Sequence, residues 1–144
     1  MLIRGLNDTE PALREIAKLL SAILPDEIHI LQPTRPPVET WVRPPDNEGL
    51  LRARAILGDM ARVVDPAEGT FDLRGADNLM EAIIGIITRH PMKESELVES
   101  LNRWSSADVI ETLKELRKNG KAQIVKRYGV RFWSASESYY PEEE

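Results

Sequence analysis

Apolar positions along this chain fall first into a helical rhythm. Leu13, Ile16, Ala17, Leu20 and Ile23 or Leu24 share one face at spacings of three and four. Asp8 or Thr9 stands where a cap belongs, and Pro11 is tolerated in the first turn, where its missing N–H costs little. Pro25-Asp26 ends the run. Flanking it are two short strand patterns, Met1 to Arg4 and Glu27 to Leu31, the second with Ile28 and Ile30 on one face. Strand, helix and strand within about 30 residues predict a βαβ unit with parallel strands and a right-handed crossover. Two parallel strands and one helix leave sheet edges and apolar faces uncovered, so this unit wants more sheet.

The pattern then breaks. Gln32 to Pro45 holds five prolines in fourteen residues, and Arg35-Pro36-Pro37 recurs as Arg43-Pro44-Pro45. Such a stretch is extended or polyproline. It reads as a stiff arm laid across a domain surface with Trp41 as its anchor, in preference to a ligand for an aromatic groove. Asp46 caps a helix over 48–57, with Leu50, Leu51, Ala53, Ile56 and Leu57 apolar and Gly58 as the stop. Arg62 to Asp65 reads as a brief strand. Residues 66–75 read as a loop, and a domain boundary is expected within 72–77.

Helical periodicity returns at Leu79, Met80, Ile83, Ile84 and Ile87, capped by Asp77 or Asn78 and closed by His90-Pro91. Leu97, Val98 and Leu101 mark a second short helix. Val109, Ile110, Leu113 and Leu116 mark a third, capped at Ser105-Ser106 and stopped at Asn119-Gly120. Lys121 to Lys126 and Val130 to Ser134 then read as a hairpin turning at Tyr128-Gly129. Three helices and a hairpin in this order predict a winged-helix domain over 78–138. The expected organisation is a βαβ unit over 1–38, a proline-rich arm, helix and linker over 39–77, the winged helix, and an acidic, disordered tail over 139–144. The fold class is α/β, then mostly α.

Charge divides the same way. The chain carries a net charge of −5 and no cysteine. Residues 1–77 are net −4, 78–138 net +2 and 139–144 net −3. Without cysteine there is no disulfide and no cysteine-held zinc or iron–sulfur cluster. No apolar run approaches the roughly 20 residues of a membrane span, and the N-terminus does not read as a signal peptide. A cytoplasmic location and no membrane partner fit this composition.

Candidate chemistry is sparse. His29 and His90 lack metal-ligand spacing, and no nucleophile triad or phosphate-binding glycine motif occurs. The mildly basic part offers Lys121, Lys126, Arg127, Tyr128 and Arg131 around the wing as a nucleic-acid-binding patch, with Arg103 and Lys93 beside it. In the third helix, acidic and basic residues nearly cancel. A winged helix used for protein contact therefore stands slightly ahead of a DNA reader. A homodimeric interaction module is a further alternative.

Residues 1–10 (MLIRGLNDTE) and 26–37 (DEIHILQPTRPP), followed by 39–46 (ETWVRPPD), resemble the end of the catalytic barrel in radical S-adenosylmethionine proteins. More narrowly, they resemble a group of prokaryotic iron–sulfur oxidoreductases, in which a strand ending in G-x-N-D leads through a helix and strand to a T/V-R-P-P segment. The resemblance covers about residues 1–46. It implies a βαβ barrel remnant whose missing partner is the earlier, catalytic part of the barrel. By position it places Gly5, Asn7, Asp8, Gln32, Thr34 and Arg35 at the pocket for the cofactor adenosine and substrate. The family holds its cluster on three cysteines, which this chain lacks. The resemblance thus implies an accessory C-terminal region, not catalytic alone, with S-adenosylmethionine and an iron–sulfur cluster bound elsewhere in a larger protein.

Overall fold

The computed structural model describes residues 1–64 and 78–142. The loop expected at 66–75 and the boundary within 72–77 lie outside the described residues, as do Asp77 and the tail's last two glutamates. The fold is mixed α/β, with five helices and two two-stranded sheets among the described residues. These residues form two compact units. One holds 1–34 and 41–64, the other 35–40 and 78–142.

In the first unit, α1 (Glu10–Ile23) follows Thr9 as cap, though no side chain closes the cap. Leu24 ends it in a left-handed conformation. α2 (Asn47–Leu57) starts as the sequence predicts, with the Asp46 carboxylate accepting from the Gly49 amide at 2.8 Å. The sheet departs from expectation. β1 (Ile28–Ile30) pairs in parallel with β2 (Ala61–Val63), so the crossover helix is α2 and not α1.

Met1 to Arg4 is not a strand, and the reason lies in where its amides go. Leu2 does donate to the Leu31 carbonyl at 2.6 Å. The Ile3 amide, however, is taken by the Asn7 side chain at 2.7 Å, and the Arg4 amide by the Arg43 carbonyl at 2.9 Å. The ladder ends after one bond. Leu2, Leu13, Ile30, Ala53 and Ala61 make the small core, with Ile28, Leu50, Ile56, Leu57 and Val63 packed on it. Of α1 only Leu13 is fully buried. Leu19, Ile23 and Leu24 remain 66%, 71% and 78% exposed.

The second unit runs α3 (Leu79–Arg89), α4 (Glu94–Ser100), α5 (Ser106–Lys118), β3 (Ala122–Arg127) and β4 (Val130–Ala135). Asn78 caps α3 through the Glu81 amide, and Ser105 caps α5 through the Asp108 amide. Ile83, Ile86, Ile87, Leu97, Leu101, Val109, Leu113 and Leu116 form the core between the three helices. β3 and β4 pair antiparallel in the register Ile124↔Trp133 and Lys126↔Arg131. Their turn has Tyr128 and Gly129 both at positive φ, the geometry of a two-residue hairpin whose twist matches the strands.

Met92, between α3 and α4, exchanges both backbone hydrogen bonds with Trp133. This adds a third strand position to the hairpin, one that no local sequence pattern marks. One hairpin face, with Ala122, Ile124, Trp133 and Ala135, lies on the helices. Phe132 and Ser134, on the other face, are also buried, so β4 is covered on both faces from Phe132 to Ala135.

Candidate functional site

Two places could carry function, one in each unit. The first is the turn at residues 3–8. Gly5 takes φ +71°, a conformation open to glycine and strained for most other residues, and its amide donates to Asp8 Oδ1 at 2.6 Å. Asn7 Oδ1 accepts from Ile3, and its Nδ2 donates to the Met1 carbonyl at 3.0 Å. Asp8 is only 5% exposed. Arg52 Nη1 donates to the Asp8 carbonyl at 3.0 Å and so ties the turn to α2. Arg4 adds an ion pair with Asp46 at 3.1 Å, a solvent-exposed contact that water and salt screen. The Gly49 amide holds the Asp46 carboxyl below the usual carboxylate range, with Arg4 and Arg52 adding to the effect.

The polar atoms of Asn7 and Asp8 are thus spent on shaping the turn. Gln32 is half-buried and Thr34 exposed in the same unit, while Arg35 belongs to the other. The six residues placed at a cofactor pocket by resemblance are therefore divided between two units. An iron–sulfur cluster does not fit the residues present. The chain has no cysteine, and no group of three or more His, Cys, Asp or Glu able to hold a metal ion occurs among the described residues. His29 instead pairs with Glu27 at 3.0 Å. That bond and nearby Arg62 hold the Glu27 carboxyl low.

The second place is the basic side of the second unit, and here the wing patch comes apart. Arg127 is 1% exposed. Its Nε donates to the Pro37 carbonyl at 3.1 Å, its Nη1 to Lys126 O at 2.8 Å and its Nη2 to Pro141 O at 2.6 Å. The Tyr140 ring lies 6.0 Å from the guanidinium. Arg127 is therefore no surface cation. It fastens the arm and the tail to the hairpin. Trp41, the expected anchor of the arm, is 57% exposed, and its role falls to Pro36, which is buried, and Pro37. The tail, expected to be disordered from 139 on, is held at Pro141. Lys93 is paired with Glu96 at 3.1 Å, and Arg103 stacks on Trp104 at 5.1 Å.

Lys121, Lys126 and Arg131 are exposed, and Tyr128 is half-buried in the turn. Of these, Arg131 joins cations of α5, with Lys126 as its cross-strand neighbour on the same hairpin face. A groove of about 430 Å3 lies between the C-terminal half of α5 and the hairpin, lined by Glu94, Lys114, Arg117, Lys118, Ile124, Arg131 and Trp133. Trp133 Nε1 donates to Glu94 Oε2 at 3.2 Å and so occupies the acidic member of the lining. Lys114, Arg117, Lys118 and Arg131 form no salt bridge among the described residues. The spacing of Lys114, Arg117 and Lys118 at three and four put them on one helix side in advance. What the sequence did not reveal is that β4 brings Arg131 opposite.

No protein-family model matches the chain, and no solved structure matches it. A curated relative, the UPF0026 protein MJ1312 of Methanocaldococcus jannaschii, is similar to it at 28% identity over 116 residues. The match covers 76% of this chain and 36% of the relative. The chain thus spans just over a third of the length of the curated relative it matches. Among the described residues, no helix is long and apolar enough to cross a membrane.

Proposed function

We propose that this chain is the C-terminal region of a longer protein of the radical S-adenosylmethionine type. Its first unit would complete the end of a barrel, and its second unit, a winged helix, would bring a partner or substrate macromolecule to that barrel. The supporting observation is the unfinished state of the first unit. A two-stranded parallel sheet cannot cover its own faces and edges. Leu19, Ile23 and Leu24 stay exposed on and beside an amphipathic helix. Burying three such side chains would contribute on the order of 5 kcal/mol, which the unit forgoes as it stands. Further strands and helices of the same polypeptide are the natural cover. The greater length of the relative is in keeping with this.

In this reading β1 and β2 are the parallel strands, with α2 between them. The turn at Gly5, Asn7 and Asp8 would present its shape to an adenosine pocket, since its side chains are engaged internally. The cluster and its ligands would belong to the earlier part of the protein. For the second unit, the order α3, α4, α5, hairpin and the Met92–Trp133 bridge support the winged-helix reading.

The test is anaerobic isolation of the native polypeptide that carries this sequence. The reading expects iron and sulfide in that polypeptide, and 5′-deoxyadenosine released from S-adenosylmethionine after reduction. A metal-free polypeptide that leaves S-adenosylmethionine intact would refute it. A second copy of the chain is the rival cover for α1. Sedimentation of the isolated chain as a dimer that Leu19→Glu with Ile23→Glu dissociates would favour that rival.

A further inference from the structure

We infer that the groove between α5 and the hairpin binds the phosphodiester backbone of single-stranded nucleic acid. The inference uses the second unit alone and does not depend on the barrel reading. Four cations, Lys114, Arg117, Lys118 and Arg131, converge on one concave surface of about 430 Å3. None is neutralised by a salt bridge among the described residues. The one carboxylate in the lining, Glu94, is engaged by the Trp133 indole at 3.2 Å. Four cations against one carboxylate leave the groove net positive, and a bound polyanion relieves the repulsion among them. Arginine beside lysine suits phosphate, which accepts paired N–H donors from a guanidinium.

The surroundings select the form of the polyanion. Asp108, Glu111 and Glu115 are exposed along α5. A helix lying in the major groove would set these carboxylates between two phosphate backbones, whereas one strand in the groove meets the cations. Trp133 is 5% exposed and Ile124 only half-buried, so the floor gives a base or sugar an apolar surface without an aromatic face for deep stacking. Binding is therefore charge-led and tolerant of sequence. The site differs from the wing tip, since Arg127 is buried and committed to Pro37 and Pro141.

The experiment is fluorescence anisotropy of the full chain with short labelled oligouridylate and oligothymidylate, as single strands and as duplexes. The inference expects single strands of either sugar to bind. Contact with four phosphates gives log K against log salt a slope of about −3. Arg131→Glu and Lys118→Glu, both at exposed positions, should each weaken binding at least tenfold while circular dichroism stays unchanged. Lys18→Glu in the first unit should shift binding less than twofold. Absence of binding at low salt would overturn the inference. So would a duplex that binds more tightly than the strand, or affinity that Arg131→Glu leaves intact. Competition by polyglutamate as effective, charge for charge, as the oligonucleotide would assign the groove to an acidic protein partner instead.

Discussion

Arg127 donates from Nε to the carbonyl oxygen of Pro37, 90 positions earlier in the chain, at 3.1 Å. The same guanidinium holds Pro141. One buried cation thus fixes a proline-rich arm and a C-terminal tail to a single hairpin. Its charge is balanced by three carbonyl dipoles and by the Tyr140 ring, with no carboxylate partner among the described residues.

Arg127→Ala leaves these carbonyls without their donor, and hydrogen bonds to charged groups contribute about 1.5–3 kcal/mol. The variant should lose about 3 kcal/mol in urea unfolding followed by Trp fluorescence. Arg127→Lys keeps the charge and loses the fork, and should fall between the two. Lys126→Ala, on the exposed side, should change stability by less than about 0.5 kcal/mol. Equal losses for Arg127→Ala and Lys126→Ala would remove the clamp.

Two helix glycines should respond to alanine with opposite signs. At Gly85 nothing lies within 4 Å of an added Cβ, so Gly85→Ala should stabilise by about 1 kcal/mol through helix propensity. At Gly49 the same Cβ would stand 2.9 Å from Asp8 Oδ2 and 3.2 Å from Pro45 Cβ. Asp8 is buried and bound to the Gly5 amide, so it has little room to yield. Gly49→Ala should destabilise by at least about 1 kcal/mol. Thermal unfolding of the two variants beside the parent protein checks both signs.

His90 gives the second unit a pH dependence. Burial holds its imidazole below the ordinary value of 6.5, and Arg35 and Arg89 add repulsion in the same direction. Between the lowered folded value and 6.5, the unfolded chain binds a proton that the folded chain does not. Stability should therefore be full above this window and fall as the pH drops through it. His90→Gln should flatten urea midpoints measured from about pH 5 to 8. An unchanged slope in the variant would show that another group titrates there.

The helices were legible because each carries an apolar stripe, and α2, α3 and α5 also carry a side-chain cap. Asp46, Asn78 and Ser105 cap as their residue types dictate. The sheet partner of Ile28–Ile30 was not. Strands of three residues carry too little alternation to choose between Met1 to Arg4 and Ala61–Val63. The choice is made by Asn7 and Arg43, which remove the Ile3 and Arg4 amides from any ladder. The fate of Arg127 was half written in the sequence. Period-two alternation puts it on the face of Val125, opposite Lys126, so the two cations never shared a surface. That this face would be buried depends on Pro37 and Pro141, which no local pattern announces.

The central claim is that residues 1–64 complete a larger protein. Its most direct test is the intact mass of the native polypeptide that carries this sequence, captured from its source with an antibody against the chain. A mass well above 16.3 kDa, in one polypeptide, is expected. A native polypeptide of about 16.3 kDa would contradict it.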